Sequence, residues 1–64
     1  MDLKEIGKQI REKRKELGID QSTLASLANI GINALSRLER GTGNPRFIVL
    51  QSVMKTLGLE IVIK

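Results

Sequence analysis

The sequence predicts an all-α domain of four short helices followed by one short β-strand. Three observations predict it. Apolar residues return every three or four positions through four windows, the spacing of one helical face. A glycine or asparagine closes each window, where a helix stops in a left-handed turn. The tail Leu59 to Lys64 breaks the pattern, because Ile61-Val62-Ile63 is a β-branched run too short for another stable helix.

The first helix is expected over residues 2–17, with Leu3, Ile6, Ile10 and Leu17 on one face and Arg14 interrupting their stripe. Gly18 ends it. Asp20 is the expected N-cap of the second helix, because its carboxylate can accept first-turn amides. Ile19 and Leu24 take the positions of a hydrophobic staple. Leu24, Ala25, Leu27 and Ala28 form its expected inner face, and Asn29 ends it by tolerating left-handed backbone. The third helix is expected over residues 32–40, between Gly31 and Gly41. Leu35 and Leu38 point inward, with Ile32 and Glu39 at the edges of that face. Thr42, Gly43 and Asn44 make a loop. Asn44 is expected to cap a fourth helix over residues 45–57, with Pro45 at its first position. Phe47, Leu50, Val53, Met54 and Leu57 are its core stripe, and Gly58 its stop. The tail reads as a strand with no mate in its own chain, and an unpaired apolar edge calls for one.

At 64 residues there is room for one domain with a small core. The expected division is a helical body over residues 1–58 and a dimerisation strand over 59–64. With no Cys and no His, neither a disulfide nor a zinc cluster can be built. Most nucleophile–base arrangements are excluded with them, so no enzyme, cofactor or metal is expected. No apolar run approaches a membrane span, and Met1-Asp2-Leu3-Lys4 opens without a signal-like apolar segment. A cytoplasmic binding module is the expectation. The net charge of +4 is weak evidence for a polyanionic partner. Lys4, Lys8, Arg11 and Lys15 alternate with Glu5, Glu12 and Glu16, as on a solvated helix face.

Gln21 to Leu38 carries two short helices around a tight turn, with small Ala25 at their close contact and Asn29 at the reversal, a helix-turn-helix pattern. Ile10-Arg11, Arg14 and Leu17-Gly18 open a longer pattern, continued by Asp20-Gln21-Ser22-Thr23-Leu24-Ala25. Leu35-Ser36-Arg37-Leu38-Glu39-Arg40-Gly41, Asn44-Pro45 and Leu57-Gly58 complete it. Together these resemble the Cro/CI-type (XRE) helix-turn-helix family across residues 3–58. Asn29 stands where that family usually has Gly. Gly31 and Ile32 stand where polar residues are commoner. The tail from Leu57 to Ile63 is similar to the C-terminal strand of HipB-like antitoxins.

The resemblance implies a lambda-repressor-like bundle whose third helix lies in the major groove. On its outer face Asn33 would bond adenine, Arg37 guanine, and Ile32 a thymine methyl, with Ser36 and Arg40 beside them. Gln21 and Ser22 would open the second helix at a phosphate, with Gln21 also bracing the third. Thr42, Asn44 and Arg46 would meet the sugar-phosphate backbone. Arg14 and Glu39 each interrupt an apolar stripe and must be paired; the resemblance pairs them with each other. Leu59, Ile61, Val62 and Ile63 would pair with a second subunit. The implied partners are double-stranded DNA with a roughly palindromic operator, a second copy of the chain, and a HipA-like kinase-fold toxin. The expected function is transcriptional repression, possible as antitoxin-type autorepression. The alternative is a protein–protein adaptor of the same fold that neutralises a partner without DNA.

Overall fold

The computed structural model describes residues 2–60. Four helices follow in order: α1 Leu3–Glu16, α2 Gln21–Ala28, α3 Ile32–Arg40 and α4 Phe47–Thr56. The first two begin on aspartates. The Asp2 carboxylate accepts from the Lys4 amide at 3.0 Å, and that of Asp20 from the Thr23 amide at 2.8 Å. Asp2 is thus the cap of α1 rather than its first residue. The α3 and α4 helices begin on Gly31 and Arg46, with no side-chain cap.

All four helices end the same way. Gly18, Asn29, Gly41 and Gly58 adopt left-handed backbone with φ of 72°, 58°, 70° and 72°. The amide after each reaches back to a carbonyl five residues earlier: Ile19 to Arg14, Ile30 to Ala25, Thr42 to Arg37, Leu59 to Met54. This is the Schellman arrangement, in which the residue after the left-handed one commonly packs back on the helix. Ile19, Ile30 and Leu59 do so, half-buried against the core.

Each helix contributes one fully buried large side chain: Ile10, Leu24, Leu35 and Val53. Around them pack Ile6, Ala25, Ala28, Leu38, Leu50, Met54 and Leu57. The Ser52 hydroxyl ties α4 to α2 by donating to the Ala28 carbonyl at 2.7 Å. The α1 and α3 helices touch through backbone. A Cβ on Gly7 would run into the Leu38 carbonyl oxygen and stand 2.8 Å from that of Glu39. A Cβ on Gly41 would stand 2.6 Å from the Lys4 Cα.

The structure corrects several expectations. Leu17 is 50% exposed: it continues the helical turn, its amide bonded to the Lys13 carbonyl, but at the end of α1 it lies outside the core cluster. Leu27 is 64% exposed. The α2 helix packs through Leu24, Ala25 and Ala28, a face that leans away from position 27. Asn44 and Pro45 do not start α4; Arg46 does, and the helix begins at Phe47. Phe47 is therefore 54% exposed, in a first turn that overhangs a core beginning at Leu50. Leu59 closes α4 against its own core, and neither Leu59 nor Glu60 lies in a strand. The remaining tail positions, Ile61, Val62 and Ile63, lie outside the described residues.

Candidate nucleic-acid interface

The α3 helix divides its residues sharply. Leu35, Leu38 and Glu39 are buried, while Ile32, Asn33, Arg37 and Arg40 are exposed and Ser36 is half-buried. Asn33, Arg37 and Arg40 share the face opposite the core, as the helical repeat requires, and Ile32 stands at the edge of the buried face. Both arginines lie back along the helix. Arg37 Nε donates to the Asn33 carbonyl and Arg40 Nε to the Ser36 carbonyl, each at 3.4 Å. These long bonds to exposed carbonyls hold the guanidiniums loosely, leaving most of their donors free for a ligand.

On one side of this face the α3–α4 loop closes a shallow hollow of about 250 Å³. It gathers Arg37, Thr42, Asn44 and Arg46 around an apolar floor that includes Ala34, Pro45 and Val49. The Thr42 hydroxyl donates to the Arg37 carbonyl at 3.5 Å, holding the loop to the end of α3. Four of the expected DNA-contacting residues are thus brought together. Gln21 and Ser22, at the first turn of α2, do not line the hollow. The floor residues escape sequence reading, since Ala34 belongs to neither the apolar stripe nor the charged face. Gly43 is the nearest signal, with φ of 81° at the bend of the loop.

Behind α3, Arg14 meets Glu39. Arg14 Nε donates to Glu39 Oε2 at 2.8 Å and Nη2 to Oε1 at 2.9 Å, a two-pronged contact. Nη1 donates to the Ile19 carbonyl at 3.0 Å. The side chains are only 11% and 3% exposed. The hydrogen bond to Glu39 raises the Arg14 pKa above its already high ordinary value, so this cation stays charged. One side chain thereby joins α1, the turn before α2, and α3. Asp20, at that same turn, has its pKa held below the ordinary carboxylate value, chiefly by the Thr23 amide.

Lys4, Lys8, Arg11 and Lys15 are exposed along α1, and the salt bridge on that helix's surface joins Lys13 to Glu16 at 3.4 Å. Among the described residues no group of His, Cys, Asp and Glu is placed to hold a metal. No helix among them is long and apolar enough to cross a membrane.

Comparison with known proteins agrees with this geometry. The helix-turn-helix family model matches residues 10–63. An uncharacterized HTH-type transcriptional regulator of Haemophilus influenzae is 38% identical over 60 residues, covering 94% of this chain and 59% of that protein. The HTH-type transcriptional regulator DdrOP3 of Deinococcus deserti is 40% identical over 53 residues, covering 83% of this chain and 41% of that protein. The chain therefore spans about half the length of these relatives. The crystal structure of the restriction-modification controller protein C.AhdI from Aeromonas hydrophila superposes with a TM-score of 0.83 at 30% identity, covering 92% of this chain and 89% of that one. The tight α2–α3 turn, the exposed outer face of α3 and these matches lead to one assignment: the chain belongs to the helix-turn-helix family.

Proposed function

We propose that this chain is a sequence-specific DNA-binding transcriptional regulator, acting as a homodimeric repressor. The observation that carries the reading is the placement of Asn33, Arg37 and Arg40 on the exposed side of α3, beside a hollow that Arg37 shares with Thr42, Asn44 and Arg46. In this reading α3 enters the major groove, with Ile32, Asn33, Ser36, Arg37 and Arg40 toward base edges. Gln21 and Ser22 meet phosphate at the start of α2, and Thr42, Asn44 and Arg46 meet the backbone beyond α3. Arg14 and Glu39 hold the reading helix in place. Similarity to an immunity repressor protein of Bacillus phage phi105, 34% identical over 56 residues, supports the repressing sense.

Two copies are part of the proposal. Each chain carries a single α3 among the described residues, so one copy addresses one half-site of a two-fold operator. The DNA-binding body is the expected 1–58 extended by Leu59, which packs on its core, and the proposed dimerising tail is the segment after it. Antitoxin-type autorepression, with a kinase-fold toxin as partner, rests on the tail sequence alone. The adaptor reading draws on Ile32, which is 48% exposed at the start of α3; a thymine methyl accounts for it equally well.

Selection from random duplex DNA with purified protein tests the proposal. The expected result is enrichment of a two-fold-symmetric site with half-sites one helical turn apart. No enrichment would move the assignment to the adaptor.

A further inference from the structure

The α3 helix rests on α1 in two ways. Arg14 and Glu39 reach across with long side chains. Around Glu39, backbone also meets backbone. Gly7 is buried on α1. A Cβ there would run into the Leu38 carbonyl oxygen, and would stand 2.8 Å from the Glu39 oxygen and 3.0 Å from its carbonyl carbon. Gly41 makes a second approach, where a Cβ would stand 2.6 Å from the Lys4 Cα. Lys4 and Gly7 lie on one side of α1 and Leu38 and Gly41 on one side of α3, as their spacing requires. No rotamer change relieves such a contact, because carbonyls and Cα atoms have no rotamers.

Nothing in α1 itself calls for glycine at position 7. Its backbone is helical and avoids the left-handed region that Gly18, Gly41, Gly43 and Gly58 occupy. In mid-helix, alanine would by itself make the more stable helix. What the missing side chain gives is a closer approach of α3.

We propose that Gly7 is a positioning residue for sequence recognition, setting the depth and tilt at which α3 presents Asn33, Arg37 and Arg40. The inference rests on the DNA reading proposed above. Gly7 is buried and acts only through α3. Leu38 follows Arg37 in the chain, and Glu39 precedes Arg40. A push on the carbonyls of 38 and 39 therefore reaches both arginines through adjacent peptides. Ordinary contact begins near 3.4 Å, so a Cβ at position 7 has to displace α3 from α1 by roughly half an ångström or more, the whole tolerance of a recognition site. Phosphate contacts absorb such a shift better, since they rest mainly on charge. Preference for sequence should fall before affinity for duplex does.

Gly7→Ala tests this against Val53→Ala, which removes buried bulk from α4 instead. Both are measured where circular dichroism shows them folded, with trimethylamine oxide added to favour burial where buffer alone does not suffice. On selected and scrambled duplexes, Gly7→Ala should lower the ratio of the two affinities about tenfold, the effect of one mismatched base pair. Val53→Ala should leave that ratio unchanged. Without DNA, residual dipolar couplings should show α3 tilted against α2 and α4 in Gly7→Ala and not in Val53→Ala. An unchanged ratio, an equal loss in Val53→Ala, or an α3 that keeps its tilt would overturn the inference. So would a Gly7→Ala chain that folds under neither condition, since the glycine would then serve folding rather than reading. The two readings fail separately. A wild type that selects no duplex removes the DNA reading, and with it the recognition role, whatever the couplings show. A selected duplex with α3 unmoved in Gly7→Ala keeps the DNA reading and removes this inference alone.

Discussion

Arg14 is the residue through which three parts of the chain depend on one another. Its guanidinium spends two donors on Glu39 and a third on the Ile19 carbonyl. Arg14→Met leaves Glu39 buried without a partner, which should cost about 3–5 kcal/mol in urea unfolding. Replacing both, as Arg14→Met with Glu39→Met, should recover most of that loss, because two apolar side chains leave no stranded charge. A double variant as unstable as the single one would mean that the bond to Ile19 matters more than the ion pair. The two charges are legible in the sequence because each interrupts an apolar stripe. The bond to Ile19 is not, since it exists only once α1 has stopped and the chain has turned back beneath Arg14. Gly7 is equally silent: a helical glycine lodged under carbonyl oxygens reads like any other glycine. Leu17, Leu27 and Phe47 show the opposite error, where an apolar side chain is taken for a buried one.

At the scale of the helices, the stops are far more legible than the starts. Four left-handed residues end four helices where glycine or asparagine stands in the sequence, because few other residues adopt that backbone at low cost. Starts are weaker signals. Asn44-Pro45 looks like a cap and first residue, yet the chain stays extended one residue further, to Arg46. The Asp20 cap has a testable dependence on pH. Its carboxyl pKa lies below the ordinary carboxylate value in the folded chain. A depressed pKa means that ionised Asp20 stabilises the fold above the unfolded value, and that this contribution fades as pH falls through the folded one. Asp20→Ala should therefore melt below the wild type at neutral pH, with the gap closing in strong acid. An equal gap across that range in thermal melts would show that the cap does not act through its charge.

Across the whole molecule, charge matters by position rather than by sum. A net charge of +4 says little, since the lysines of α1 alternate with glutamates. Arg37 reaches both the reading face and the hollow, whereas Arg46 lines the hollow alone. Their removal should therefore differ. Arg46→Ala should weaken binding to all duplexes alike and lower the slope of log affinity against log salt by about 1. Arg37→Ala should cost about 1–3 kcal/mol on the selected site and relax the base preference at one position. Titrations at several salt concentrations, on selected and scrambled duplexes, separate the two. Identical losses would mean that both arginines meet only phosphate. The helical layout was open to sequence reading because it follows from periodicity and stops, and the family because its residue pattern resembles a known one. The exposed face of α4 was not, because helical spacing alone puts Phe47 on the core stripe, while the structure leaves it 54% exposed.

The four tight helix stops also bear on time. Each connection between helices is only a few residues long, so the loops closed when α1 meets α3 and α2 meets α4 are short and little loop entropy opposes them. Helical domains wired in this way fold in microseconds to milliseconds. If the proposed homodimer holds, a newly made copy would be folded long before it met a partner, and the encounter of two copies would be the slow, concentration-dependent step.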